Sequence, residues 1–186
     1  MSKSNKNKSF LVVGIGASAG GLEAFTELLR ALSTDTGMAF VLVQHLDPTH
    51  DSILTALLAK TTAMPVTEVT EAMQVVPNHV YVIPPNKDLA IHEGLLKLTT
   101  RKADGKLHLP INRFLCSLAK EYENNAIGII LSGTASDGTL GLKAIKEAGG
   151  ITFAQNEKTA KYPGMSNAEK VLVGLDLKPK EENEKR

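Results

Sequence analysis

Apolar runs alternating with helix-period segments predict an α/β fold: a doubly wound, mainly parallel sheet with helices on both faces, a Rossmann-like three-layer sandwich, plus a small β-hairpin. Two observations carry this. The strands ("FLVV", "AFVLV", "VYVI", "AIGII") are near-continuous Val/Ile/Leu runs, the composition of strands buried on both faces. Helical segments also separate most of them, as crossovers between parallel strands require.

The elements follow in order. "SFLVVG" reads as a buried strand, after which Leu22, Phe25, Leu28, Leu29 and Leu32 mark one helical face. "AFVLVQ" is a second strand, with a helix around "SILTALLAKTT" behind it. "HVYVIP" is a third, and "DLAIHEGLLKLTT" predicts a hairpin turning at Glu93-Gly94. "INRFLCSLAKEY" is helical after Pro110, a residue favoured at a helix start. "AIGIILSG" is another buried strand, "TLGLKAIKEAGG" a helix stopped by Gly149-Gly150, and "ITFAQ" a final strand. Residues 155–167, "QNEKTAKYPGMSN", read as an irregular loop of functional character.

The 186 residues suit one domain. Residues 1–8 are expected to be a disordered polar tail, residues 9–177 the folded domain, and residues 178–186 a charged tail. A net charge of +1 gives no overall field for nucleic acid or a membrane surface. No apolar run nears the roughly 20 residues of a membrane span, and the polar start lacks a signal-peptide core. A soluble, cytoplasmic protein is expected. The single cysteine, Cys116, permits no internal disulfide, and its mid-helix place makes it a poor nucleophile.

In an open parallel sheet, ligands bind beyond the carboxyl ends of the strands. Three such ends carry reactive side chains: Ser18 in "GASAGG", His45 in "QHLDPTHD" and Asp137 in "SGTASDGT". A serine hydroxyl needs a base to take its proton, and histidine titrates near neutrality. An acid fixes the imidazole tautomer and stabilises the imidazolium. Small residues around Ser18, and the helix start beyond them, would let backbone N–H groups reach an oxyanion.

Other readings of the same residues stay open. Gly14-Ile15-Gly16-Ala17-Ser18-Ala19 fits the dinucleotide pattern G-x-G-x-x-G/A, although the second strand ends in Gln44-His45 where that pattern expects an acid. Taken singly, Ser18 and Asp137 are ordinary turn or cap residues. His45, Asp47, His50 and Asp51 could form a metal cluster, but Asp47-Pro48 breaks any helical register. His79, His92 and His108 read as structural or solvated. No cofactor or metal is expected.

Taken together, "VGIGASAGGLEAF", "VLVQHLDPTH", "VYVIPPNKDLAI", "GIILSGTASDGTLGLKAIKEAGG" and "AQNEKTAKYPGMS" resemble the catalytic domain of the CheB family of chemotaxis protein-glutamate methylesterases, in the family's order, over roughly residues 9–166. The "SAGG…QHLDP" flavour is similar to esterase domains in chains that also carry a CheR-like methyltransferase. The resemblance implies a triad of Ser18, His45 and Asp137, and an oxyanion site at the backbone of Ala19 and Thr134. It further implies hydrolysis of glutamate γ-methyl esters on the cytoplasmic helices of methyl-accepting receptors, with deamidation of receptor glutamines at the same site. No nucleic-acid partner or membrane insertion is implied. A silent receptor-docking module and a nucleotide-binding domain are the alternatives. Three departures stand out. The family's usual receiver domain is not among these residues, which are expected to be an isolated or excised esterase unit; Asn112 replaces a frequent aspartate; and Ser166 follows "YPGM" where the family usually has proline, before a divergent C-terminus.

Overall fold

The computed structural model describes residues 10–18, 21–44, 53–101, 108–131 and 137–155. In chain order these form β1 (Val12–Ala17), α1 (Gly21–Ala31), β2 (Ala39–Gln44), α2 (Leu54–Leu58), β3 (Val66–Glu68), β4 (Met73–Gln74) and β5 (His79–Val82). There follow β6 (Lys87–His92), β7 (Leu95–Thr100), α3 (Pro110–Tyr122), a 3-10 turn (Glu123–Asn125), β8 (Ala126–Ile130), α4 (Thr139–Glu147) and β9 (Ile151–Ala154). The main sheet is parallel throughout, in the order β3-β5-β2-β1-β8-β9. The expected doubly wound sandwich is therefore present. A small antiparallel sheet, β4-β7-β6, accompanies it.

Strand period 2 divides the core in two. Val13, Ile15, Phe40 and Leu42 point to one face and pack with Phe25 and Leu29 of α1 and Leu54 and Leu58 of α2. Val12, Val41 and Val43 point to the other, where they meet Ile111, Phe114, Leu115 and Leu118 of α3 and Leu142 and Ile145 of α4. Leu89, Ile91 and Leu96 of the small sheet complete that second core. The chain runs outward from β1 on one side and returns to add β8 on the other, so the order reverses between β1 and β8. Clefts in doubly wound sheets open at such a point.

Gly14 and Gly16 serve this packing. The predicted strand stops at Gly14, but β1 runs on to Ala17, and both glycines are paired with β2 on one side and β8 on the other. A Cβ at Gly14 would lie 2.6 Å from Leu115 Cδ2, and one at Gly16 would lie 2.3 Å from Ile111 Cγ2. The glycines thus let α3 rest directly on the central strand. Gly16→Ala is expected to overpack this contact by roughly 1–3 kcal/mol. Each kcal/mol lowers the midpoint of a domain this size by about 2–4 °C, so thermal unfolding reads the effect. An unchanged midpoint would mean that α3 yields freely.

Other expectations need adjustment. The helix expected over "SILTALLAKTT" is reduced to Leu54–Leu58. Thr61 ends it early, because its hydroxyl donates to Leu58 O at 2.8 Å and its N–H to the same carbonyl at 2.9 Å. Strands β3 and β4 were not anticipated. Buried Tyr81 holds β4 in place, its hydroxyl donating to Gln74 O (3.1 Å) and accepting from Val76 N–H (3.0 Å). The hairpin turns where expected, with Glu93 and Gly94 both at positive φ (53° and 74°), as a two-residue type I′ turn requires. Among the described residues no helix is long and apolar enough to cross a membrane. The loop expected at 155–167 lies, after Gln155, outside the described residues, as do the expected tails.

Candidate active site

Three neighbouring strands, β2, β1 and β8, end along one edge of the main sheet. Ser18 follows directly on the last residue of β1 and is half-buried. Its carbonyl accepts the N–H of Gly21, the first residue of α1, at 2.9 Å. The side chain of Gln44, which closes β2, donates Nε2–H to the same carbonyl at 3.4 Å. A Cβ on Gly21 would lie only 3.1 Å from that nitrogen, so glycine there leaves room for the Gln44 amide. Strand end, helix start and neighbouring strand thus all meet at the serine.

Asp137 lies beyond β8, next to Gly138, the residue that opens into α4, and is 1% exposed. Burying a carboxylate is costly unless its oxygens are satisfied. Here Oδ2 accepts the N–H of Ile111 at 2.9 Å and Oδ1 that of Asn112 at 2.8 Å. Both donors belong to the first turn of α3, whose N–H groups have no partner within the helix and whose dipole favours an anion. Gly138 follows at φ 105°, with Ile130 Cδ1 2.4 Å from where a Cβ would sit, so the turn into α4 requires glycine.

Asn112 entered the sequence reading only as a departure from a frequent aspartate. It is buried, at 7% exposed, and its Oδ1 accepts the N–H of Gly138 (3.1 Å) and of Gly141 (2.8 Å). The signal was available: Asn112, Leu115 and Ala119 share one inward stripe of α3, and a polar residue on such a stripe needs partners. Its neighbour Arg113 reaches Asp88 of β6 at 2.9 Å, and Arg101 lies 3.5 Å from the same carboxylate. This cluster fastens the small sheet to the first turn of α3. Ser117 Oγ does the same a turn later by accepting Ile91 N–H at 3.0 Å.

Ser18 and Asp137 are therefore placed at the carboxyl ends of adjacent strands. His45, Ala19 and Thr134 lie outside the described residues, as do Asp47, His50 and Asp51 of the alternative metal cluster. His45 is next in the chain after Gln44. The dinucleotide pattern does not fit the local structure. Its glycines belong in the turn after the strand, but Gly14 and Gly16 are ladder residues covered by α3. Cys116 is exposed on α3, and partial burial, then the charge of Asp137, push its thiol above the ordinary value, away from the reactive thiolate.

The remaining histidines have local surroundings. His92 faces Glu121 at 3.7 Å and His108 is exposed. His79 opens β5, at the end of the sheet opposite Ser18, stacked on Tyr81 and within 2.8 Å of Thr67 Oγ1. Burial holds its imidazole below the usual 6.5. As pH falls past about 6.5, the unfolded chain takes up this proton before the folded one, so the contribution is present above that pH and is lost toward the lowered folded value. His79→Gln is accordingly expected to flatten the fall in thermal midpoint below about pH 6.5. Parallel midpoint–pH curves for the two proteins would remove His79 as the cause.

A family model for CheB methylesterase matches residues 13–175. The chain is 36% identical over 158 residues to protein-glutamate methylesterase/protein-glutamine glutaminase 2 of Burkholderia lata, covering 84% of this chain and 47% of that protein. It is 34% identical over 169 residues to a putative protein-glutamate methylesterase/protein-glutamine glutaminase of Leptospira interrogans, covering 90% of this chain and 88% of the relative. It thus spans about half of the first and most of the second. The crystal structure of the Thermotoga maritima CheB methylesterase catalytic domain superposes with a TM-score of 0.81 at 26% identity, over 89% of this chain and 92% of that one.

Proposed function

This chain belongs to the CheB methylesterase family, and we propose that it hydrolyses glutamate γ-methyl esters on methyl-accepting chemotaxis receptors through Ser18, His45 and Asp137. The observation that carries the proposal is the buried Asp137 carboxylate, pinned through both oxygens at the same sheet edge as Ser18. A triad needs an acid of this kind, held so that it cannot rotate away from the imidazole it orients.

The steps follow from the residue chemistry. Ser18 Oγ attacks the ester carbonyl while the His45 imidazole takes its proton. The oxyanion that forms is held by backbone N–H groups at Ala19 and Thr134. Collapse breaks the bond to the methoxy oxygen, which takes the proton from the imidazolium and leaves as methanol. Water then gives a proton to His45 as it attacks the acyl-enzyme, and Ser18 regains a proton as the glutamate carboxylate departs. With a glutamine side chain the same sequence releases ammonia, the second activity in the relatives' names. The receptor's cytoplasmic helices are the proposed partner, which places the reaction in the cytoplasm. The "SAGG" and "QHLDP" segments support a parent chain that also carries a CheR-like methyltransferase.

Methanol release from methylated receptor membranes tests the proposal. Time-dependent release proportional to protein is expected. A folded chain that binds the membranes and releases none would leave it a docking module.

A further inference from the structure

Two helices converge beside Asp137, and neither has a cap of its own. The residue before α3 is Leu109 and the residue before α4 is Gly138, and neither side chain can accept a hydrogen bond. The first N–H groups of both helices, with the positive ends of both dipoles, therefore need acceptors from elsewhere. Each helix supplies the acceptor for the other. Asp137, just before α4, accepts from Ile111 and Asn112 in the first turn of α3. Asn112, in that same turn, accepts through Oδ1 from Gly138 and Gly141 at the start of α4. All four bonds lie between 2.8 and 3.1 Å and are buried.

We infer that Asn112 is a positioning residue for hydrolysis, locking Asp137 through this reciprocal cap between α3 and α4. The inference rests on the triad proposed above. The Asp137 side chain is held at its oxygens by α3, and the peptide that follows it is held by the Asn112 amide. A sideways shift of the carboxylate would break bonds at both ends. Gly138 makes this turn possible, because its positive φ and the contact with Ile130 exclude a side chain. Gly141 lets α4 lie close against α3, with 2.4 Å between its Cβ position and Leu115 Cβ, which brings its N–H within reach of the Asn112 amide. The carboxylate that aims the histidine is thus aimed in turn by Asn112.

The test is methanol release by the full chain with Asn112→Leu and Asn112→Asp, alongside circular dichroism and thermal midpoints. Leucine has nearly the shape of asparagine but no acceptor. It is expected to lower kcat about 10²-fold, the cost of a misplacement near 1 Å, with KM little changed. Aspartate restores both acceptor bonds and is expected to recover most of kcat. If Asn112→Leu does not fold, Asn112→Ser carries the comparison, since its hydroxyl lacks the reach and kcat should fall while the fold survives. A folded leucine or serine variant with wild-type kcat would overturn the inference and leave Asn112 a stability residue. So would failure of aspartate to recover kcat. Absence of release by wild type, or full release by Ser18→Ala, would overturn the triad and this inference together.

Discussion

Ser18→Ala is expected to reduce methanol release by about 10⁶-fold, the scale on which removing the serine of a triad acts in serine hydrolases. The size follows from the chemistry, because without Oγ no acyl-enzyme forms and water must attack an ester that the site was built to present to serine. The variant is also a clean probe. The bonds that tie Ser18 to α1 and to Gln44 run through its main-chain carbonyl, so alanine keeps both. Unfolding midpoint and receptor binding should therefore stay close to wild type while turnover vanishes. A variant as fast as wild type would return Ser18 to the role of a turn residue at the end of β1.

What the sequence made legible, and what it did not, follows from the range of the forces involved. β2 and the Glu93-Gly94 hairpin were readable because their signals are local: an unbroken apolar run and a pair of residues suited to positive φ. β3 and β4, at three and two residues, are too short to show any period, and the second of them is fixed by its pairing with β7, where Met73 lies opposite Leu96. The end of β1 was set too early because Gly14 and Gly16 look like loop residues in sequence. Their reason for being glycine lies almost a hundred residues away in α3. The same limit applied to the site. Ser18 and Asp137 could be nominated from strand-end loops alone. The bonds joining Asp137 to α3 use backbone donors, which leave no mark in side-chain identity. Asn112 left a weak one, a polar residue on a buried stripe.

Asp137→Asn is expected to lower kcat by about 10⁴-fold, since an amide cannot hold the imidazole in the tautomer that accepts the serine proton. The structure adds a cost that a triad argument alone omits. Both carboxylate oxygens accept backbone N–H groups, so whichever way the new amide turns, its NH₂ must face a donor. One N–H of α3 is then buried without a partner, at about 1–3 kcal/mol. The variant should therefore lose stability as well as activity, and the two losses can be separated. A domain with the usual 5–15 kcal/mol remains folded after such a loss, so unfolding cannot supply a factor of 10⁴ well below the midpoint. The decisive measurement is kcat at a temperature where circular dichroism shows the variant native. A deficit near 10⁴ there assigns Asp137 to the reaction. A lower midpoint with kcat within tenfold of wild type would make it a helix cap, and the acid of the triad would have to be sought elsewhere along the sheet edge.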